Sequence, residues 1–241
     1  MTDEPRAWRV VLESIERDLL DGRLRPGDRL PGERALSAEL GVGRSSVREA
    51  LRVLEVLGLI RTSTGSGPTA GAIIVALPGG GMSALMRLQV AATGFAVSDI
   101  VSTRLVLETA VAADLAEATP QPSLAASVAL LDVMESRALS ADEFLALDAQ
   151  FHLSLAEASG NQVIAATMAG LRSSIESYAR AGAANLPSWA DTSARLSGEH
   201  RAIIAAIESG DPANARATVH SHIAYYYAET NLPSRAGTVP I

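Results

Sequence analysis

Four histidines stand in the C-terminal half of the chain, His152, His200, His220 and His222, and Asp148 lies four residues before the first of them. Residues four apart share a helical face, so Asp148 and His152 point together, alongside Phe144, Phe151 and Leu155. His200 shares its face with Leu196, Ile203, Ile204 and Ile207, and His222 with Val219, Tyr225 and Tyr226. Polar groups are thus aimed where the apolar side chains are aimed. His220 points the other way, near Arg216 and Tyr227. Burying a carboxylate and several imidazoles without partners is costly. Two arrangements meet that cost: a hydrogen-bonded His/Asp cluster, or one divalent metal shared by Asp148, His152, His200 and His222. Three neutral imidazoles and a carboxylate suit zinc first, and nickel or another first-row metal after it. Such a site keeps a net charge of about +1, and its open positions would attract a chelating anion such as a 2-hydroxy or 2-keto acid.

Arg104 is a second candidate. It lies on a predicted helix over 98–118, among Val97, Ile100, Leu107, Val111 and Leu115. A guanidinium on that face can grip a carboxylate ligand bidentately. It can equally pair with Glu108, one turn along the same helix.

The N-terminal third offers a different chemistry. Successive helical residues turn by about 100°. On the predicted helix from about Ser45 to Leu57, this places Val47, Ala50, Leu51, Leu54 and Leu57 on one side. Ser45, Arg48, Glu49 and Arg52 lie opposite, and Arg44 sits at the N-terminal rim. A helix docked in a major groove needs such a division, and arginine suits guanine edges and phosphates. An amphipathic surface helix with solvated arginines has the same pattern.

The elements that position these groups follow from periodicity and punctuation. A helix is expected over 6–20, then a turn-rich connector to Pro31, a short helix over 33–40 and the arginine helix. Leu59–Thr62 and Ala72–Ala76 read as two strands flanking a glycine-rich tip. Together these form a winged helix-turn-helix over residues 1–77. Pro78-Gly-Gly-Gly81 reads as a linker, assigned to 78–83. Beyond it the pattern is all-helical over 84–230, with helices over 84–92, 98–118, 123–137, 141–158, 161–181, 190–209 and 212–230, and a patternless tail at 231–241. The expected fold is therefore mostly α, a winged domain followed by a helical bundle.

Composition narrows the function classes. The net charge is −7, yet residues 1–77 hold 11 Arg and 11 Asp+Glu, so the acidity belongs to the remainder. A neutral domain can bind DNA when its arginines cluster. Cysteine is absent, which excludes disulfides, thiolate catalysis and Cys-based zinc sites. No apolar run approaches the ~18 residues that span a bilayer, and Met1–Arg9 lacks the apolar segment of a signal peptide. A cytoplasmic protein is expected.

The stretch from Leu30-Pro-Gly-Glu-Arg-Ala-Leu through Gly41-Val-Gly-Arg-Ser-Ser-Val-Arg-Glu-Ala-Leu-Arg to Gly58-Leu-Ile60 resembles the GntR family of winged-helix regulators. That resemblance implies DNA contacts from Arg34, Arg44 and Arg48 and from the wing tip at Thr64 and Gly65, and we group Ser45 and Ser46 with them. Gly43 departs from the family pattern, which often has Ser there as helix N-cap. Farther on, Asp148-Ala-Gln-Phe-His152, Ala-Ser-Gly-Asn161, Glu199-His-Arg-Ala-Ile203 and His222-Ile resemble the FCD effector domain of the FadR-type branch. Its metal-binding members imply Asp148, His152, His200 and His222 as ligands and an effector close to Arg104. Asn161, after Gly160, reads as a helix cap. Ser63-Thr-Gly-Ser-Gly-Pro68 and Ala183–Arg195 are similar to lactate-responsive repressors of actinobacteria, which makes lactate the candidate effector.

One helix-turn-helix reads too few bases for useful specificity, so a homodimer on a palindromic operator is expected. Two other readings stay open. A metal sensor would respond to the ion alone, and a metalloenzyme with a DNA-binding appendage would turn over a metabolite.

Overall fold

Val11 and Ile15, one turn apart, are the enclosed side chains of α1 (Ala7–Leu20). In the computed structural model, which describes residues 7–63, 71–75, 80–136 and 139–230, α1 packs on α2 (Glu33–Leu40) and α3 (Arg44–Val56). Leu36, Val47, Ala50, Leu51 and Leu54 complete the core with Leu30, Ile60, Ala72 and Ile74. The turn between α2 and α3 is tight. Gly41 adopts φ 65°, a left-handed conformation that glycine enters at little cost, and its N–H donates to Ser37 O. The Ser37 hydroxyl donates to Val42 O at 2.6 Å. Gly43 then opens α3 from extended backbone without a side-chain cap.

Strands β1 (Ile60–Ser63) and β2 (Gly71–Ile74) are antiparallel, with Ile60 opposite Ile74 and Ser63 opposite Gly71. Arg29 forms an isolated bridge to Ile73. This is the expected winged helix-turn-helix. Its tip, with Thr64 and Gly65, lies outside the described residues.

The chain forms two compact units, Met1–Ala84 and Leu85–Ile241. Helix α4 (Gly80–Thr93) starts inside the glycine run, so residues 80–83, read as the end of a linker, are helical. The reason is steric. A Cβ on Gly81 would lie 1.6 Å from the Leu57 carbonyl oxygen, so this glycine permits a close approach of the helix start to that backbone.

The second unit is built on α5 (Val97–Glu117), α6 (Ala125–Ser136), α7 (Ala141–Ala158), α8 (Gln162–Ala183), α9 (Trp189–Glu208) and α10 (Pro212–Glu229). Helix α5 packs against α7, α8, α9 and α10, and it is accordingly apolar on most of its surface. Caps set where the site-bearing helices begin. Ser140 and Glu143 form a reciprocal capping box on α7, Ser188 caps α9, and Asp211 caps α10 ahead of Pro212. Asn161 accepts from Ile164 N–H at 3.2 Å and caps α8, its expected part. Among the described residues, no helix is long and apolar enough to cross a membrane.

Candidate functional site

In the first unit, burial of Val47, Ala50, Leu51 and Leu54 leaves the opposite face of α3 in solvent. Arg44, Ser45, Arg48 and Arg52 are exposed, Ser46 is half-buried, and Arg34 is exposed on α2. Arg48 does not stand alone. Its Nε and Nη2 donate to the two Glu33 oxygens at 3.3 and 3.0 Å, linking the start of α2 to α3. The hydrogen bonds from Arg48, helped by the fields of Arg44 and Arg52, hold the Glu33 carboxyl below its usual range. Three arginines therefore converge on one face. Behind it, the Glu55 carboxylate accepts from both the N–H and the hydroxyl of Thr62, fixing the base of the wing to the end of α3.

In the second unit, the turn between Asp148 and His152 brings both inward from α7, His200 comes from α9, and His222 comes from α10. All four are buried, His200 completely so at 0 % exposure. One potential ligand atom from each lies within 4.8 Å of all the others. His152 Nε2 and His222 Nε2 are 3.1 Å apart, and His200 Nε2 is 3.0 Å from Asp148 Oδ1. Donors on an ion with bonds of about 2.1 Å sit roughly 3.0 Å apart at right angles and roughly 3.4 Å apart at the tetrahedral angle. His220 is exposed and outside the cluster.

The outward nitrogens of two rings meet carboxylates. His222 Nδ1 bonds Glu199 Oε2 at 2.8 Å. His152 Nδ1 lies 2.6 Å from Glu108 Oε2, a close approach in which the N–H is not aligned on the oxygen. Such contacts keep the proton on Nδ1 and turn the Nε2 lone pair inward. Two lone pairs 3.1 Å apart repel. In His200, neither nitrogen has an aligned hydrogen-bond partner among the described residues, despite the short approach to Asp148. A cation among these atoms takes one nitrogen from each ring, including one of the two His200 nitrogens that a hydrogen-bonded cluster leaves unsatisfied. The four residues fit a divalent ion.

Charge states agree with that chemistry. Burial pushes the His222 imidazole down to about 4 and also lowers His200. Both shifts favour the neutral ring, the form a ligand must take. Burial opposes charge on Asp148, but the three imidazoles outweigh it and hold its carboxyl well below the usual range. Glu108 is likewise disfavoured by burial, yet Arg104 and His152 bring it down to about 2.

Arg104, which the sequence offers either as an effector grip or as a partner of Glu108, is seen in the second role. Its Nε donates to Glu108 Oε1 at 2.6 Å and its Nη1 to the Tyr178 hydroxyl at 2.5 Å. Arg195 repeats the pattern, reaching Glu199 at 2.5 Å and Glu229 at 2.6 Å with its guanidinium 4.5 Å from the centre of the Tyr225 ring. Sequence reading does not bring out Glu33, Glu108 or Glu199 as functional residues. The available signal was an arginine four residues ahead of a glutamate, on two helices that also carry or face the histidines.

A winged helix-turn-helix joined to a helical domain with a buried polar cluster defines a bacterial transcription regulator. The profile described as "Bacterial regulatory proteins, gntR family" matches residues 9–69, and "FCD domain" matches 99–225. The Glc operon transcriptional activator of Escherichia coli K12 is 29% identical over 229 residues, spanning 92% of this chain and 89% of its own. The putative L-lactate dehydrogenase operon regulatory protein of the same strain is 29% identical over 234 residues, spanning 92% and 86%. The solved structure named Streptococcus agalactiae GntR matches with a TM-score of 0.61 at 25% identity, spanning 92% of this chain and 100% of that one. The chain belongs to the gntR family of bacterial regulatory proteins and carries an FCD effector domain. It is a DNA-binding transcription regulator.

Proposed function

We propose that this regulator binds operator DNA under the control of a small 2-hydroxy- or 2-keto-carboxylate held at a divalent metal in its FCD domain. The carrying observation is the pair of Nε2 atoms of His152 and His222, 3.1 Å apart with their Nδ1 sides on carboxylates. Asp148, His152, His200 and His222 would hold the ion, zinc first and nickel or another first-row metal after it. The ion supplies open coordination positions for a chelating acid. Arg104, already buried beside the cluster, supplies the cation for the acid's carboxylate by sharing its guanidinium with Glu108. Lactate is the candidate effector, in keeping with a relative named for an L-lactate dehydrogenase operon.

Residues 1–77 serve as the reading domain and 84–230 as the sensing domain. Arg34, Arg44, Ser45, Ser46 and Arg48, with Thr64 and Gly65 at the wing tip, make the DNA contacts. A homodimer on a palindromic operator supplies the second half-site, and the protein works as a repressor in the cytoplasm, where effector releases the operator.

A second reading rests on one observation. Arg104 is engaged by Glu108 and Tyr178, which suits a metal sensor that needs no free guanidinium. Operator binding followed by fluorescence anisotropy, with zinc held constant and lactate, glycolate and pyruvate varied, separates the two. Acid-dependent release supports the proposal. Indifference to every acid, with a response to zinc alone, selects the metal sensor.

A further inference from the structure

The four candidate ligands are not held alike. Asp148 and His152 ride one turn apart on α7, and His152 is backed by Glu108 and Arg104, both 5 % exposed. His200 is fully enclosed, its ring centre 4.6 Å from that of Phe151. The carboxylate behind His222 is different. The Glu199 side chain is 27 % exposed, and together with His222 it lines a groove of about 450 Å³ between α9 and α10. The remaining wall is Ala202, Asn214, Ala217, Thr218, Ser221 and Tyr225. This lining carries several neutral oxygens and one carboxylate, Glu199, with the Arg195 guanidinium on Glu199 and over the Tyr225 ring beside it. Neutral oxygens and a carboxylate on such a wall can replace the waters of a hydrated divalent cation in steps.

We propose that the α9–α10 groove is the passage by which the metal reaches and leaves the cluster, and that His222 is the ligand that swings aside to let it pass. The inference rests on the metal reading above. Asp148, His152 and His200 form the fixed part of the site. Glu199 is a positioning residue that latches the His222 ring in its ligating orientation, and Arg195 steadies that latch through its contact at 2.5 Å. Acid and metal would then arrive by different routes, because Arg104 and Tyr178 do not line this groove.

The test is metal exchange on the full chain, with zinc uptake and chelator-driven release followed by stopped flow and Kd by equilibrium dialysis. Ala202→Phe and Ser221→Phe fill the groove from exposed helix positions. Each should slow uptake and release by a common factor and leave Kd unchanged, the signature of a blocked path rather than a damaged site. Glu199→Gln weakens the latch and should speed release by about 10-fold or more, as loss of a carboxylate behind a metal-bound histidine does to affinity. Wild-type rates in both groove-filling variants would overturn the passage, with the metal site standing. An unchanged release rate in Glu199→Gln would overturn the latch. A wild-type chain that binds no zinc at equilibrium would overturn this inference together with the reading beneath it.

Discussion

Glu108 and Glu199 stand in the same relation to the buried cluster. Each follows an arginine by four residues on its own helix, and each presents Oε2 to Nδ1 of an imidazole on another helix. Two turns of helix, one on α5 and one on α9, therefore carry the same Arg–Glu pair and fix the tautomers of His152 and His222. The consequence is a cluster whose lone pairs are turned inward before any ligand arrives.

That arrangement predicts the effect of removing a charge behind a ligand. Glu108→Gln keeps the size of the side chain but loses the carboxylate, and metal affinity should fall by about 10–100-fold. Competition against a chromophoric chelator measures it. Equal affinity in the variant would show that Glu108 stabilises the helix pair only.

Metal removal should cost stability. The purified chain is expected to hold about one divalent ion, and His200→Ala should lose it. An ion that binds only the folded state at 100 times its Kd contributes about 2.7 kcal/mol, so chelator should lower the Tm of the wild type and leave His200→Ala unmoved. Full occupancy in His200→Ala by elemental analysis would misplace the site.

On the DNA side, Arg44→Ala and Arg48→Ala each remove one exposed guanidinium from the outer face of α3. Base contacts of this kind are worth about 1–3 kcal/mol each. Operator affinity should drop accordingly in both variants with Tm unchanged, because the Arg48–Glu33 pair is exposed and exposed pairs contribute little to folding. Anisotropy titrations that show wild-type affinity for both would remove α3 from the interface.

Much of this was legible in the residues themselves. Asp148 and His152 share a face with Phe144 and Phe151, so periodicity alone marks them as buried, and the punctuation at Gly41–Gly43 marks the helix-turn-helix. What periodicity does not carry is which helix crosses which. Glu199 meets His222 across α9 and α10, and Glu108 meets His152 across α5 and α7, so both carboxylates look from the sequence like ordinary partners of the preceding arginine. Gly81 misleads for a related reason. A glycine that allows backbone to approach backbone and a glycine that loosens a linker are the same residue until the neighbour, here Leu57, is known.

Trp189 offers a reporter for the site. Its ring centre is 5.5 Å from that of Phe144, which in turn stacks 6.4 Å from His200. The indole Nε1 is buried with no hydrogen-bond partner among the described residues, an environment sensitive to small shifts in packing. The chain has two tryptophans, and the other is Trp8 in the first unit. Zinc titration should therefore change the emission of Trp8→Phe and leave that of Trp189→Phe flat. The reverse pattern would separate Trp189 from the metal centre.

The sharpest test of acid sensing lies at Arg104. Truncation to alanine would strand Glu108 in the interior, and breaking a buried pair in this way costs about 3–5 kcal/mol. A lost response in Arg104→Ala would then confound folding with recognition. Arg104→Lys is the better instrument. It keeps a positive charge within reach of Glu108 but lacks the planar fork that can serve Glu108 and an acid at once. The variant should fold, retain zinc and bind operator as the wild type does, while lactate binding by calorimetry and lactate-driven release by anisotropy both weaken. If Arg104→Lys binds the acid undiminished, the guanidinium only buttresses Glu108, and the acid, if sensed at all, is held by the metal alone.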